Sequence, residues 1–229
     1  AAKGPPTDPQ EIREANRLYD GEIRYMDEHV GRLLDHLKTA GLFDNTWIIM
    51  TADHGELLGE HGEFFHENTP YQEVTHVPLL IKEPVADPPT GRSNAWIQLV
   101  DLFTMILHRL DIQPPTPIQG SVPPSLAHPI IIESQVSPMF ANGDWVSIID
   151  RDTSMKFVWN SLGNHLLFDL NADPDENQNL VTTQGGLAQS LGQTLQTYLA
   201  QLPPPPQATA SRSLSKEMLE SLRSLGYLK

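Results

Sequence analysis

The sequence contains no cysteine among its 229 residues. Disulfides, zinc–thiolate sites and a cysteine nucleophile are therefore excluded within this chain. The compartment stays open, because secreted proteins can also lack cysteine. Any metal or acid–base chemistry must use oxygen and nitrogen side chains.

Basic residues are also few, since 15 Lys and Arg stand against 29 Asp and Glu, a net charge of −14. This charge repels nucleic-acid phosphates and anionic membranes over most of the surface. No stretch approaches the roughly 20 apolar residues of a membrane-spanning helix, and the N-terminus has no apolar signal core. We expect a soluble protein with no nucleic-acid partner and no membrane span.

Apolar residues make up 39% of the chain, enough for a core. Spacings of three and four predict a long helix over Leu18–Leu37 and a second from Trp96 to Leu110. The continuous apolar run Thr46–Thr51 is typical of a strand buried on both faces, and Val77–Ile81 predicts another strand. Helix followed by buried strand indicates an α/β fold. Because the first residue is Ala1 rather than Met, we expect that further sequence precedes it.

The pattern changes in the second half of the chain. Four short segments rich in β-branched and aromatic residues, separated by turn residues, predict a small antiparallel sheet. They are Ile130–Glu133, Trp145–Ile149, Met155–Trp159 and His165–Leu170. A helix over Leu187–Leu199, an extended Pro203–Pro206 linker and a terminal helix over Ser215–Leu225 follow.

The stretch Thr51–His66 carries the candidate chemistry. Asp53 and His54 follow a predicted buried strand, at the sheet edge where open α/β proteins bind ligands. Gly55 lets the backbone turn at once. A carboxylate beside an imidazole is a partial ligand set for Ca²⁺, Mg²⁺, Mn²⁺ or Zn²⁺, and further ligands must come from elsewhere.

Histidines concentrate in the same region. His54, His61, His66 and His76 are four of the nine histidines and lie within 23 residues. Structural roles compete with functional ones. The Asp-His-Gly turn could be hydrogen-bonded locally, His61 could cap the loop, and His76 could be a packing residue. The acidic side chains of Glu56, Glu60 and Glu63 could simply solvate the loop.

Six ordered segments resemble the C-terminal portion of the sulfatase family within the alkaline-phosphatase superfamily. The resemblance runs over nearly the whole chain, and its order matters more than any single motif. The matching segments are Tyr19–Thr46, Thr51–Glu56, Thr69–Ile81, Val100–Leu107, Leu167–Leu180 and Leu222–Tyr227.

The resemblance implies a mixed α/β sheet flanked by helices, followed by a small antiparallel subdomain with C-terminal helices. On that basis residues 1–125 are expected to form the C-terminal part of the catalytic α/β domain. Residues 126–229 are expected to form the smaller β subdomain.

The resemblance also assigns site residues. Asp53 and His54 match the family's metal ligands, for Ca²⁺ in first place and Mg²⁺ or Mn²⁺ as alternatives. His66 matches a basic residue that contacts the sulfate or assists the leaving oxygen. The family's nucleophile, a Cys or Ser oxidised to formylglycine, and two further metal-binding aspartates lie in its N-terminal half and are not found here. The chain has no cysteine, and the segment at Ser121 lacks the arginine that the nucleophile motif requires.

The leading hypothesis is hydrolysis of a sulfate monoester when this chain is completed by the missing N-terminal half of the same enzyme. Alone, the chain is expected to be inactive, since its nucleophile is absent. A phosphonate monoester, phosphodiester or phosphate substrate is the alternative ester chemistry. A non-catalytic structural or interaction role is the alternative class. The family analogy suggests a periplasmic or secreted enzyme.

Overall fold

The computed structural model describes residues 6–66, 69–88, 90–114, 118–123, 128–134 and 143–202, with residues 215, 216, 218 and 220. Contacts divide the chain into one unit of residues 1–195 and another of residues 196–229. Helices and small antiparallel sheets make up the described part of the first unit. The candidate site lies entirely in that unit.

Helix α1 runs over Pro9–Thr39 and is 31 residues long. The Asp8 carboxylate caps it by accepting the Gln10 N–H at 2.8 Å, and Pro9 occupies the first helical position. The helix predicted over Leu18–Leu37 is confirmed. Its start lies earlier because the first turns carry charges rather than apolar periodicity, so only the cap marks them.

Seven short elements follow α1 and precede the C-terminal sheet. They are β1 (Ile48–Thr51), β2 (Leu57–Leu58), a 3₁₀ turn (Glu60–Gly62), β3 (Phe64–Phe65), α2 (Gln72–Thr75), β4 (Leu79–Lys82) and α3 (Leu99–Arg109). β1 pairs antiparallel with β4, and β2 with β3. The β2–β3 hairpin and α2 together carry the backbone from the end of β1 to the start of β4.

Strand β1 is not buried on both faces, so that prediction was wrong for this chain. Ile48 and Ile49 are half-buried, whereas Met50 and Thr51 are exposed. Within the described ranges β1 pairs with β4 alone. An apolar sequence shows that a strand can be buried, but burial itself needs neighbouring elements on both faces.

Helix α3 begins three residues later than the predicted start at Trp96, because a capping box sets its N-terminus. The Asp101 carboxylate accepts the Gln98 N–H at 2.9 Å, and it is buried. The same carboxylate accepts the Ser121 N–H at 2.8 Å and contacts His128 Nε2 at 2.7 Å. Asp101 therefore holds the loop after α3 against the helix start.

The main described core lies in a four-stranded antiparallel sheet in the order β5 (Ile130–Ser134), β6 (Trp145–Ile149), β7 (Met155–Asn160) and β8 (Leu166–Asp169). This confirms the predicted sheet, with ends within one residue. Helix α4 (Gly185–Gln201) begins beside it and buries Leu191 and Leu195. Its Gly192 leaves room for the Phe157 ring, which a Cβ would meet at 3.3 Å.

Three predictions, for the domain boundary, the proline linker and the terminal helix, fall wholly or mostly on residues that the structure does not describe. The expected domain boundary at residue 125 stays a proposal, and residues 124–127 lie outside the described residues. Pro203–Pro206 and most of Ser215–Leu225 also lie outside them. In the part of the chain that the structure describes, no helix is both long and apolar enough to cross a bilayer.

Exposed apolar side chains on β1, β4 and α3 predict that the chain alone self-associates. Leu80 is 53% exposed and Phe103 57% exposed, and such surface attracts further apolar surface. We expect sedimentation to show concentration-dependent association, weakened by Leu80→Lys. The control is Leu162→Lys, which removes a 60% exposed leucine from a β-turn. A monomer at every concentration would contradict the prediction.

Candidate metal and ester site

Asp53 and His54 follow the end of β1, and the atoms that could bind a metal ion lie close to each other. Asp53 Oδ1 accepts the His54 backbone N–H at 3.0 Å. His54 Nδ1–H donates to the Gly55 carbonyl at 2.9 Å, because a carbonyl can only accept. In the neutral imidazole, Nε2 therefore keeps its lone pair. That nitrogen lies 3.9 Å from Asp53 Oδ2, so a cation with bonds of about 2.0–2.4 Å could contact both atoms.

Gly55 is required by a close backbone approach. Its N–H donates to Val74 O at 2.7 Å, and the neighbouring Glu56 N–H donates to Glu73 O at 3.1 Å. A Cβ on Gly55 would lie 2.0 Å from Glu73 O. The sequence predicted a glycine turn at this point, and the structure shows that α2 occupies the space that a side chain would need.

His66, which follows β3, is brought to the same place as Asp53 and His54. Its ring stacks on the His54 ring with centroids 4.1 Å apart and planes inclined by 28°. Its Nδ1–H donates to Glu56 Oε2 at 3.0 Å. All three predicted site residues therefore lie together. His66 presents Nε2 as its remaining polar atom.

Glu56 is a site residue that the sequence analysis missed. The interpretation that it only solvates the loop was wrong, because its carboxylate orients the His66 ring. Ten residues separate the two in sequence, and neither helical nor strand periodicity relates them. The β2–β3 hairpin, in which Leu57 pairs with Phe65, brings them together.

Of the other two clustered histidines, His76 lines the same cavity as the Asp53–His54 pair, whereas His61 contacts Tyr71 and Glu73. His61 adopts a φ of 55° and stacks on Tyr71 with centroids 3.7 Å apart. Its Nε2 lies 3.4 Å from Glu73 Oε1. Burial, together with the charges of nearby glutamates, raises the pKa of Tyr71, so that it stays a neutral stacking partner. His61 therefore has a packing contact with Tyr71, and its predicted role as a loop cap stays a prediction.

A cavity of about 440 Å³ opens beside the candidate site. Asp53, His54 and His66 line it, and Trp96 and Ile132 are among its apolar lining residues. A cavity of this size suits a small molecule with a charged group at one end.

The donor set fits a divalent ion only in part. Asp53 and His54 supply one oxygen and one nitrogen, and four or more ligands are the norm. Among the described residues no group of three or more His, Asp or Glu side chains is arranged to hold a metal ion. The remaining ligands of an ion held here must come from outside these residues.

A strand end that offers an Asp-His pair beside a second histidine agrees with the resemblance of the sequence to hydrolases of the alkaline-phosphatase superfamily. The sequence profile of the family described as Sulfatase matches residues 1–112. A choline-sulfatase from Rhizobium meliloti (strain 1021) is 32% identical over 186 residues, covering 77% of this chain and 35% of that protein. The chain belongs to the sulfatase family.

Two further similarities support the assignment. The multifunctional alkaline phosphatase superfamily protein PehA from Trinickia caryophylli is 29% identical over 200 residues, covering 77% of this chain and 38% of that protein. The structure of BT4656 in complex with D-glucosamine-2-N,6-O-disulfate is similar with a TM-score of 0.65 and 28% identity, covering 79% of this chain and 40% of that chain. The chain spans little more than a third of the curated relatives' length.

Gly55→Ala tests the close approach between the Asp53–His54 turn and α2. We expect it to lower the free energy of unfolding by about 1–3 kcal/mol, because the methyl group must push Glu73 O away. Gly31→Ala is the matched control, since its Cβ meets nothing within 4 Å inside α1. That change should stabilise the protein by about 0.5–1 kcal/mol. Urea unfolding compares the two, and equal effects would contradict this reading.

Proposed function

We propose that this chain supplies the metal-binding strand end and the leaving-group histidine of a sulfatase that hydrolyses a sulfate monoester. The observation that carries the proposal is that Asp53, His54 and His66 line one cavity and that the two imidazole rings are stacked. The nucleophile and the remaining ligands would belong to the part of the enzyme that this chain does not span.

Asp53 and His54 would hold one divalent ion, Ca²⁺ in first place, with Mg²⁺ or Mn²⁺ as alternatives. When bound, such an ion polarises the ester oxygens and offsets their negative charge. The need for it follows from the net charge of −14, which otherwise repels an anionic substrate. In the neutral ring, the Nδ1–H bond to Gly55 O leaves the lone pair of His54 Nε2 available to bind a metal ion.

His66 is suited to the departing oxygen. The Glu56 carboxylate holds its Nδ1–H and fixes the ring, so Nε2 is the atom that can carry a proton to the leaving group. The apolar walls at Trp96 and Ile132 would surround the departing alcohol and limit the access of water.

A phosphonate monoester, phosphodiester or phosphate remains the second candidate substrate, because the same Asp-His pair could hold an ion on any tetrahedral anionic ester. A non-catalytic role of this chain is the third candidate. A panel of sulfate, phosphate and phosphonate esters with a common nitrophenyl group decides among them in the complete enzyme. The highest kcat/KM should fall on the sulfate ester.

Asp53→Asn tests the metal assignment in the complete enzyme. We expect lower metal content and lower turnover, because an amide oxygen carries no charge and binds a divalent ion more weakly than a carboxylate. Elemental analysis measures the stoichiometry, with the exposed Asp87→Asn as control. Unchanged metal content in Asp53→Asn would exclude this residue as a ligand.

His66→Ala tests proton delivery to the leaving group. We expect kcat to fall about 10²-fold with unchanged bound metal, as for lost acid catalysis. The loss should shrink for nitrophenyl sulfate, whose leaving group needs little protonation, and grow for alkyl sulfates. The control is His108→Ala at the exposed end of α3. An equal loss across leaving groups would assign His66 to sulfate binding, and no loss would make it structural.

A further inference from the structure

Lys156 on β7 and Glu176, in the loop after β8, form a fully buried pair outside the candidate site. Both side chains have 0% exposure, and Nζ lies 2.7 Å from Oε1. Glu176 also adopts a φ of 50°, a left-handed conformation that is unfavourable for a residue with a Cβ. The backbone of Glu176 is therefore locally strained at the place where its carboxylate points into the protein interior.

The second contacts of the pair converge on one segment, residues 70–72. Lys156 Nζ donates to the Pro70 carbonyl. Glu176 Oε2 accepts the Gln72 N–H at 2.6 Å. The two bonds hold the peptide groups on either side of Tyr71, whose ring stacks on His61 and lies 6.2 Å from the Phe168 ring.

Stability alone is a poor explanation for this pair. Moving two charges out of water is costly, and apolar side chains of similar volume often stabilise a protein as well or better. Burial lowers the pKa of Lys156 and raises the pKa of Glu176, and each charge opposes the other's shift. What apolar side chains cannot supply is the pair of directed hydrogen bonds to Pro70 and Gln72.

Segment 70–72 is in turn attached to the candidate site. Gln72 begins α2, whose Glu73 and Val74 carbonyls accept the N–H groups of Glu56 and Gly55. Gly55 follows His54 directly, and Glu56 orients His66. A displacement of α2 therefore moves the turn that carries His54 and the carboxylate that holds His66.

We propose that the Lys156–Glu176 pair is a positioning device that sets α2, and through it the Asp53–His54 turn and His66, from the C-terminal sheet. The pair does not touch the substrate and acts through the backbone of residues 70–76. The kinetic half of its test rests on the proposed function, whereas the structural half does not.

The double variant Lys156→Met/Glu176→Leu removes both charges and both directed bonds while keeping the volume filled. We expect an unchanged or higher Tm, but faster hydrogen exchange in peptides covering residues 53–58 and 66–76, with wild-type exchange in β5–β8. In the complete enzyme, kcat should fall about 10-fold or more, because small misplacements of reacting groups are costly. KM should stay within about threefold, since the ester-binding groups are retained.

Val158→Ala is the matched control on the same strand, because Val158 is fully buried in β7. It should lower Tm through the cavity that it leaves, yet keep kcat and the exchange of residues 66–76 at wild-type values. A fall in kcat in proportion to Tm in both variants would show that the pair acts only through stability, and would overturn the proposal.

A second pair of variants decides the matter if the double variant does not fold. Gln72→Pro removes the N–H that Glu176 accepts together with the glutamine side chain, and Tyr71 already has a φ of −67° and a ψ of 156°, which suit a residue before proline. Proline is also tolerated at the first helical position. Gln72→Ala loses the side chain but keeps the N–H, so the difference between the two reports the hydrogen bond.

We expect Gln72→Pro to exchange faster than Gln72→Ala over residues 53–58 and 66–76, and to have the lower kcat. Equal exchange and equal kcat would overturn the proposal. If the wild-type enzyme cleaves no sulfate ester, the proposed function fails, and the exchange comparison still decides the role of the pair.

Discussion

Two backbone hydrogen bonds, from Gly55 to Val74 and from Glu56 to Glu73, are the constraint on which the candidate site depends. They bring α2 against the end of β1 at a distance that only glycine allows. The Asp53–His54 turn is therefore defined from its C-terminal side as well as by the strand that precedes it. Because Glu56 is part of the same contact, its carboxylate reaches His66, and the three candidate residues line the same cavity.

The candidate site has only part of the ligand set of a divalent ion, which is consistent with a chain that spans little more than a third of its curated relatives' length. Asp53 and His54, the proposed metal ligands, lie beside His66, the proposed proton donor, and no group of three or more His, Asp or Glu side chains among the described residues could hold a metal ion. In a protein with a net charge of −14, an anionic ester has to be attracted by a local positive charge. We therefore propose that Asp53 and His54 bind a cation that attracts the ester, whereas His66 delivers the proton.

Regular elements were predictable wherever a local rule defines them. The repeat of three and four found α1, and alternating or β-branched segments found the four strands of the C-terminal sheet almost to the residue. The errors arose where neighbours decide the outcome. Strand β1 has an apolar sequence but lies half-exposed, and α3 starts at the capping box of Gln98 and Asp101 rather than at the first apolar residue.

The sequence by itself determined where the Asp-His-Gly turn lies, which family the chain resembles and which histidines were candidates, because those are local patterns in fixed order. Only the tertiary structure decided that Glu56 holds His66, that His61 stacks on Tyr71, and that Lys156 and Glu176 reach residues 70–72. The contact between Gln72 and Glu176 joins positions 104 apart in the chain. No periodicity relates such positions, since the packing of separate elements, rather than the geometry of any one of them, sets the distance between their side chains.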